Sequence, residues 1–189
     1  MSILPAPPAA DRPAPIQLVP LVPVGRGLVD PARSRVGFEV RHLRVARVRG
    51  AFNAFAARVD AGDGLRIDGA VDVASLDTGD GVRDKHLRSA GYFDAARHPE
   101  IAYAARGAVP ERDGWRIDGE LTIRGVTRPL ALHATVSGDD DGALRIAAGG
   151  ELSRRDFGLQ WAGLVEAGRL VVSDDVKVVV DAVLVPAGG

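Results

Sequence analysis

From residue 28 onward the chain is written in short segments that alternate apolar and polar side chains. Ser34, Val36, Phe38, Val40 and His42 share one parity, and Arg33, Arg35, Glu39 and Arg41 share the other. Leu65, Ile67, Gly69, Val71 and Val73 alternate with Arg66, Asp68, Ala70 and Asp72. Trp115, Ile117, Gly119, Leu121 and Ile123 alternate with Arg116, Asp118, Glu120 and Thr122. Leu130, Leu132, Ala134 and Val136 form a further set, and Leu144, Ile146 and Ala148 another. The last set, near 175 to 185, carries Val176, Val178, Val180, Ala182 and Leu184 on one parity. A period of two places successive side chains on opposite faces, so each segment predicts a strand with one wet and one dry face. That is the pattern of antiparallel sheets, because parallel strands buried on both faces read as continuous apolar runs. Asp63-Gly64, Asp113-Gly114 and Asp141-Gly142 separate segments and suit tight hairpins. Seven or eight such strands in about 160 residues predict an all-β sandwich or closed barrel, with no repeat and no second domain.

The alternation stops between residues 77 and 94, where Arg83, Asp84, Lys85, His86 and Arg88 crowd together before Tyr92 and Phe93. Residues 80 to 89 predict one short helix, with Asp80 or Thr78 accepting from the free N–H groups at its start. Val82, His86 and Ser89 share one helical face, and Leu87, Tyr92 and Phe93 follow in position to plug a barrel end. The segment is expected to cap a barrel mouth. The dry faces are thin: Gly69, Ala105, Gly107, Gly119, Ala134, Ala148 and Gly150 all fall among them. A small eight-stranded barrel needs bulky side chains to fill it. Small ones either leave room for an apolar ligand or merely let strands twist and bend; spacing alone leaves both open.

Four stretches resemble the YceI-like family of polyisoprenoid-binding, lipocalin-like proteins, in the same order and with matching gaps. They are Ser34-Arg35-Val36-Gly37-Phe38-Glu39-Val40-Arg41-His42-Leu43 with Val48-Arg49-Gly50-Ala51-Phe52, and Ala74-Ser75-Leu76-Asp77-Thr78-Gly79 running into Arg83-Asp84-Lys85-His86-Leu87 and Tyr92-Phe93-Asp94. Gly119-Glu120-Leu121-Thr122-Ile123-Arg124-Gly125-Val126-Thr127-Arg128-Pro129 and Ser153-Arg154-Arg155-Asp156-Phe157-Gly158-Leu159 complete them. The resemblance implies an extended antiparallel eight-stranded lipocalin-like β-barrel over residues 26–186, with the short helix as its cap. It implies a long isoprenoid lipid, a prenyl quinone or polyprenyl lipid, as the partner in the pore. It also implies a homodimer and transient membrane contact for lipid exchange.

Composition narrows the alternatives. Seven of the twelve prolines fall in residues 1 to 24. They remove backbone donors and block helix, so residues 1–25 read as an extended tail. Proline interrupts every apolar run there and only Arg12 is basic before Arg26. No secretory signal is legible, and a cytoplasmic protein is expected. The net charge of -1 gives no overall electrostatic case for nucleic acid or an anionic membrane. Without cysteine there is no thiolate metal site, disulfide or thiol nucleophile. His42, His86, His98 and His133 are far apart, with neither H-x-H nor H-x3-H spacing, and no metal or cofactor is expected.

The expected function is binding without chemistry. The pore is expected to be lined by Val36, Phe38 and Val40, by Leu65, Ile67 and Val71, by Ile101 and Tyr103, by Leu121 and Ile123, and by Leu132, Phe157 and Trp161. His42, Arg83, His86, Leu87 and Phe93 are expected at the mouth. Arg83 and Asp84 also read as ion-pair and hydrogen-bond anchors of the cap. One alternative is an enzyme with His42 and His86 as acid and base. Ser89 or Ser153 with His86 and Asp84 supplies the residue types of a triad, but no G-x-S-x-G elbow accompanies them. Another is a stress-related interaction protein whose pore is incidental.

Overall fold

The computed structural model describes residues 26–42, 46–62, 64–138, 143–160 and 172–186. The expected tail, Asp63 of the Asp63-Gly64 turn, the Asp141-Gly142 turn, Trp161 and the side chain of His42 lie outside them.

The strands are β1 (Arg26–Val29), β2 (Arg35–His42), β3 (Ala46–Phe52), β4 (Phe55–Asp60), β5 (Arg66–Asp72), β6 (Leu76–Asp77), β7 (Glu100–Arg106), β8 (Val109–Glu111), β9 (Gly114–Ile123), β10 (Val126–Gly138), β11 (Leu144–Ser153) and β12 (Val172–Pro186). One helix, α1 (Gly81–Arg88), lies between β6 and β7. Every pairing is antiparallel, as the one-sided alternation predicts.

Among the described residues, twelve strands make eight barrel staves because four staves are interrupted, the fourth being β7 with β8, which both pair with β9. β1 and β2 lie end to end along one edge of β12, which pairs Val172–Asp181 with β2 and Leu184–Pro186 with β1. β3 and β4 form the second stave, pairing with β2 and β1 respectively. β5 and β6 form the third. The remaining staves follow in the order β7, β9, β10, β11 and β12, and the β1–β12 pairing closes the ring. The choice between sandwich and barrel is thus resolved as a closed eight-stranded antiparallel barrel with one short helix.

The first three interruptions are tied down. At the second and third, Asn53 N donates to Ser75 O at 3.2 Å, Ala54 N to Ser75 Oγ at 2.9 Å and Asp72 N to Ala54 O at 2.9 Å. Ser75 Oγ also donates to Asp72 O at 2.7 Å, and Asp72 Oδ1 accepts from Ala74 N at 2.8 Å. At the first, Val183 N donates to Ser34 Oγ at 2.8 Å and Asp30 N to Val183 O at 2.9 Å. Backbone groups freed by a kink need such partners when they are shielded from water.

Asp113-Gly114 forms the expected β8–β9 hairpin, with Glu111 opposite Gly114. A second tight hairpin, between β9 and β10, turns through Arg124 (φ 52°) and Gly125 (φ 73°). Two consecutive positive φ values match the strand twist, so this turn accepts a strained arginine beside its glycine. The main core runs through Val73, Leu76, Leu87, Phe93, Leu121, Leu130, Phe157 and Leu159 toward the α1 end. A smaller cluster around Val59 and Leu184, with Leu65 and Leu144, closes the other.

Candidate functional site: an apolar lumen under a helical lid

The inward parity of the strands encloses a cavity of about 430 Å³. Its wall comes from every stave: Val36 and Phe38 of β2, Val48 of β3, Ile67 and Val71 of β5, Ile101 and Tyr103 of β7, Leu121 of β9, Leu132 of β10, Ala148 of β11 and Val178 of β12. Among the described residues the polar side chains on the wall are Thr78, Arg83, Tyr92, Tyr103 and Arg154. All but Tyr103 lie at the α1 end.

The lumen stays open because two aromatic rings lie flat on glycines. A Cβ added to Gly50 would sit 2.4 Å from Phe38 Cζ, and one added to Gly119 would sit 2.4 Å from Tyr103 Cζ. The rings fill the space a side chain would occupy and cover the wall instead of crossing it. Tyr103 Oη lies 3.2 Å from Ile117 O and 3.3 Å from Leu130 O, so its one proton is shared between two carbonyls. Burial pushes this phenol up to about 12, with the Asp118 charge adding to the rise.

The lid is fastened by its own charged residues. Asp80 caps α1, accepting from Val82 N at 3.0 Å and Arg83 N at 3.1 Å. The Arg83 N–H holds the Asp80 carboxyl below the usual carboxylate range, aided by the Val82 N–H and the Arg83 charge. Buried Asp84 accepts from Thr78 N at 3.0 Å and Thr78 Oγ1 at 2.5 Å. Arg83 donates to Thr78 Oγ1 at 2.7 Å and to Thr78 O at 2.9 Å. Arg88 reaches Ala74 O at 3.0 Å and Leu76 O at 3.2 Å. The expected anchoring role of Arg83 and Asp84 is the arrangement found. Leu87, Tyr92 and Phe93 are buried beneath the helix on the cavity wall, and Tyr92 meets Phe93 edge to face at 4.9 Å.

A second polar group faces the same end. Arg154 is buried, donating to Ser173 O at 3.2 Å and Leu159 O at 3.4 Å. Its Nη2 lies 2.9 Å from Asp174 Oδ1, yet that oxygen receives no aligned hydrogen bond, so this contact is coulombic. Arg155 Nε meets Asp174 Oδ2 at 2.7 Å. Burial raises the Tyr92 hydroxyl above its usual range, opposed by the charge and hydrogen bond of Arg154.

The expected site residues fall into four groups. Val36, Phe38, Val40, Ile67, Val71, Ile101, Tyr103, Leu121, Ile123, Leu132, Arg83, Leu87 and Phe93 all line the cavity. Leu65 and Phe157 do not: Leu65 packs in the far-end cluster and Phe157 is buried in the core beside the lumen. His86 is exposed on the outer face of α1 with Val82, because the buried Leu87 fixes the opposite face inward. Trp161 and the His42 side chain fall outside the described residues. The triad types are also dispersed: Asp84 is committed to Thr78, and Ser89 Oγ donates to His86 O at 2.6 Å. Sequence reasoning passed over Thr78 and Arg154 as wall residues and gave Tyr92 only as part of the plug at the barrel end. The parity of β12 could have added Val176, Val178 and Val180, which line the cavity too.

Residues 28–184 match the YceI-like domain family. The chain is 31% identical over 131 residues to the UPF0312 protein plu2095 of Photorhabdus laumondii, covering 65% of this chain and 68% of that protein. It is 30% identical over 136 residues to Protein YceI of Escherichia coli, covering 66% and 70%. Among solved structures, Burkholderia cenocepacia BcnA superposes with a TM-score of 0.73 at 23% identity, over 82% of this chain and 98% of that one. A polyisoprenoid binding domain from Saccharophagus degradans superposes at 0.69 with 15% identity, over 87% and 99%. At these identities the two structures establish the shared fold.

Two outcomes follow from the wall geometry. Gly119→Ala is expected to push Tyr103 off the wall and lower stability by about 1–3 kcal/mol in denaturant unfolding. The loss should shrink in a Tyr103→Leu background; an equal loss in both backgrounds would mean the ring is not what the methyl displaces. The second concerns alkaline pH. The folded chain keeps Tyr103 protonated where the unfolded chain has released the proton, so its contribution is intact below pH 10 and is lost as pH rises toward about 12. Tyrosinate absorbance should lag the free phenol accordingly, and Tyr103→Phe should flatten the alkaline fall in stability.

Proposed function

The chain belongs to the YceI-like domain family, and from that premise we propose that its barrel holds a long isoprenoid lipid, a prenyl quinone or polyprenyl lipid, and carries it without altering it. The observation that carries this reading is the distribution of polarity in the lumen. Its wall is apolar along the staves, and among the described residues four of the five polar side chains on it gather under the lid. That suits a long hydrocarbon with one polar head.

Length supports the same reading. Lining residues on β12 run from Val172 to Leu184. At about 3.3 Å per residue and a tilt of about 40°, they span roughly 30 Å of the barrel axis. An extended chain of about six five-carbon units, each roughly 5 Å, fits that length. The S. degradans relative is described as a polyisoprenoid binding domain.

The enzymatic alternative asks for acid–base chemistry at the mouth. Against it stands the position of His86, exposed on the side of α1 away from the cavity. The arginines at the lumen, Arg83 and Arg154, are engaged with carbonyls, a hydroxyl and carboxylates, as anchors of the lid end.

Native mass spectrometry of the purified chain, followed by organic extraction, is expected to find a prenyl lipid bound. Val71→Trp, which places bulk in the lumen, should fold and hold at least about tenfold less lipid, while His86→Ala should retain it. Because the empty barrel binds no ligand to offset its void, stripping the lipid should lower the thermal midpoint, and adding it back should restore it. A chain that stays empty when offered prenyl quinones and polyprenyl phosphates, yet turns over a substrate that His86→Ala abolishes, would replace carriage with catalysis.

A further inference from the structure

We propose that the β2–β3 hairpin is a docking edge for an anionic lipid bilayer, bringing the lid end of the lumen to the membrane. The inference rests on the carrier reading for its purpose, but its evidence is separate. The described part of the β2–β3 ladder carries Arg41, Arg47 and Arg49 against one carboxylate, Glu39, in a chain whose net charge is -1. A near-neutral total thus conceals a cationic segment.

The register concentrates that charge at one rung. Glu39 stands opposite both Arg49 and Lys177, and Arg49 Nε meets its carboxylate at 2.8 Å. One rung nearer the tip, Arg41 is directly opposite Arg47, and both are exposed. Like charges directly across an antiparallel pair destabilise it. Glu39 is shared by two of these cations, Arg47 Nη1 at 4.0 Å and Arg49 Nε at 2.8 Å, so one carboxylate stands against three arginines and the Arg41–Arg47 rung keeps a local penalty. An external anionic surface turns that penalty into attraction, with roughly a fivefold gain in partitioning for each cation near the headgroups.

The placement fits lipid exchange. The rung between those two is Val40 opposite Val48, and both line the cavity. The hairpin is thus wall on its inner face and cationic on its outer. The lid segment adjoins it: Thr78 lies against Gly50 of β3, and α1 exposes Val82 at 84% with Lys85 nearby. An apolar tip beside cations suits insertion among headgroups. A nucleic acid fits less well, since the hairpin's aromatic residues, Phe38 and Phe52, face inward and offer no stacking surface.

The test is flotation of the full chain with phosphatidylcholine vesicles, with and without about 30% phosphatidylglycerol, at about 0.1 M and 0.5 M salt. The chain should float with the anionic vesicles only, and only at low salt. Arg41→Glu should raise the thermal midpoint, because it makes a repulsive rung attractive, and should weaken flotation roughly tenfold or more. Arg112→Glu, a reversal at an exposed site on the β8–β9 turn, should leave flotation unchanged. Equal flotation with neutral vesicles, or an Arg41→Glu variant that floats like the parent, overturns the proposal. So does duplex DNA that strips the chain from the vesicles, which would assign the edge to nucleic acid. Extraction of the same samples keeps the two readings apart. Anionic flotation without prenyl lipid defeats carriage alone, and prenyl lipid without flotation defeats the docking edge alone.

Discussion

The two edges of β12 hold the rest of the molecule in place. Fifteen residues long, this strand presents rows of backbone donors and acceptors on both sides. On one side β11 pairs with it from Leu144–Leu184 to Ser153–Asp175. On the other, β2 and then β1 take the edge in succession. An unpaired edge of that length would be a template for aggregation, and closure removes it. Closure with a long strand has a geometric consequence. Its partners on the β1–β2 side must follow it while turning around the barrel, and they do so by breaking at residues 30–34, 53–54 and 73–75, where short local hydrogen bonds replace the ladder. The third break also throws the chain outward to begin β6 and then α1. The lid is therefore positioned by the same constraint that closes the sheet.

A closed ring of eight staves has an interior just wide enough for side chains to fill. This chain declines to fill it. Glycine under Phe38 and glycine under Tyr103 lay the largest rings against the wall, and Ala148 and Gly69 leave further space. A dry void is a stability cost, at about 24 cal/mol per Å³ in core-truncation series. Compensation comes from the ends. The lid end is packed by Val73, Leu76, Phe93, Phe157 and Leu159, and the far end by Val59 and Leu184. The barrel is thus two cores joined by a hollow cylinder.

Much of this was legible from parity alone. Period-two alternation located the strands, their antiparallel sense and most of the wall, since an inward side chain in a barrel faces the lumen by construction. The start of the helix was legible as a cap by Asp80 or Thr78, and Asp80 is the residue whose carboxylate caps the first turn. What the sequence concealed was depth along the axis. Leu65 and Phe157 share the inward character of Ile67 and Leu159, yet they lie in or beside the end cores, because a strand's pattern does not say where a hollow stops. His86 was misplaced for a different reason. Its place in a polar cluster suggests a mouth, whereas the rotation of α1 is governed by burying Leu87 and Asp84. Arg154 was hidden as well: a cation on a cavity wall is stable only with partners distant in sequence, here Ser173 and Asp174.

The compensation of those wall arginines bears on how a lipid would be held. A prenyl chain leaving a bilayer is dry before and after transfer, so its hydrocarbon contributes little to the difference between membrane and lumen. The balance is then struck at the head, under the lid. There Arg154 shares Asp174 with Arg155, and Arg83 lies 3.9 Å from Asp80 while its guanidinium is bonded to Thr78. Neither is an open cation waiting for an anion. A head group meets donors whose charge is already balanced, which yields hydrogen bonds of ordinary strength in place of a deep electrostatic trap. A lumen neutral to the chain and moderate toward the head would release what it took up, which is the reversibility that the proposed carriage requires.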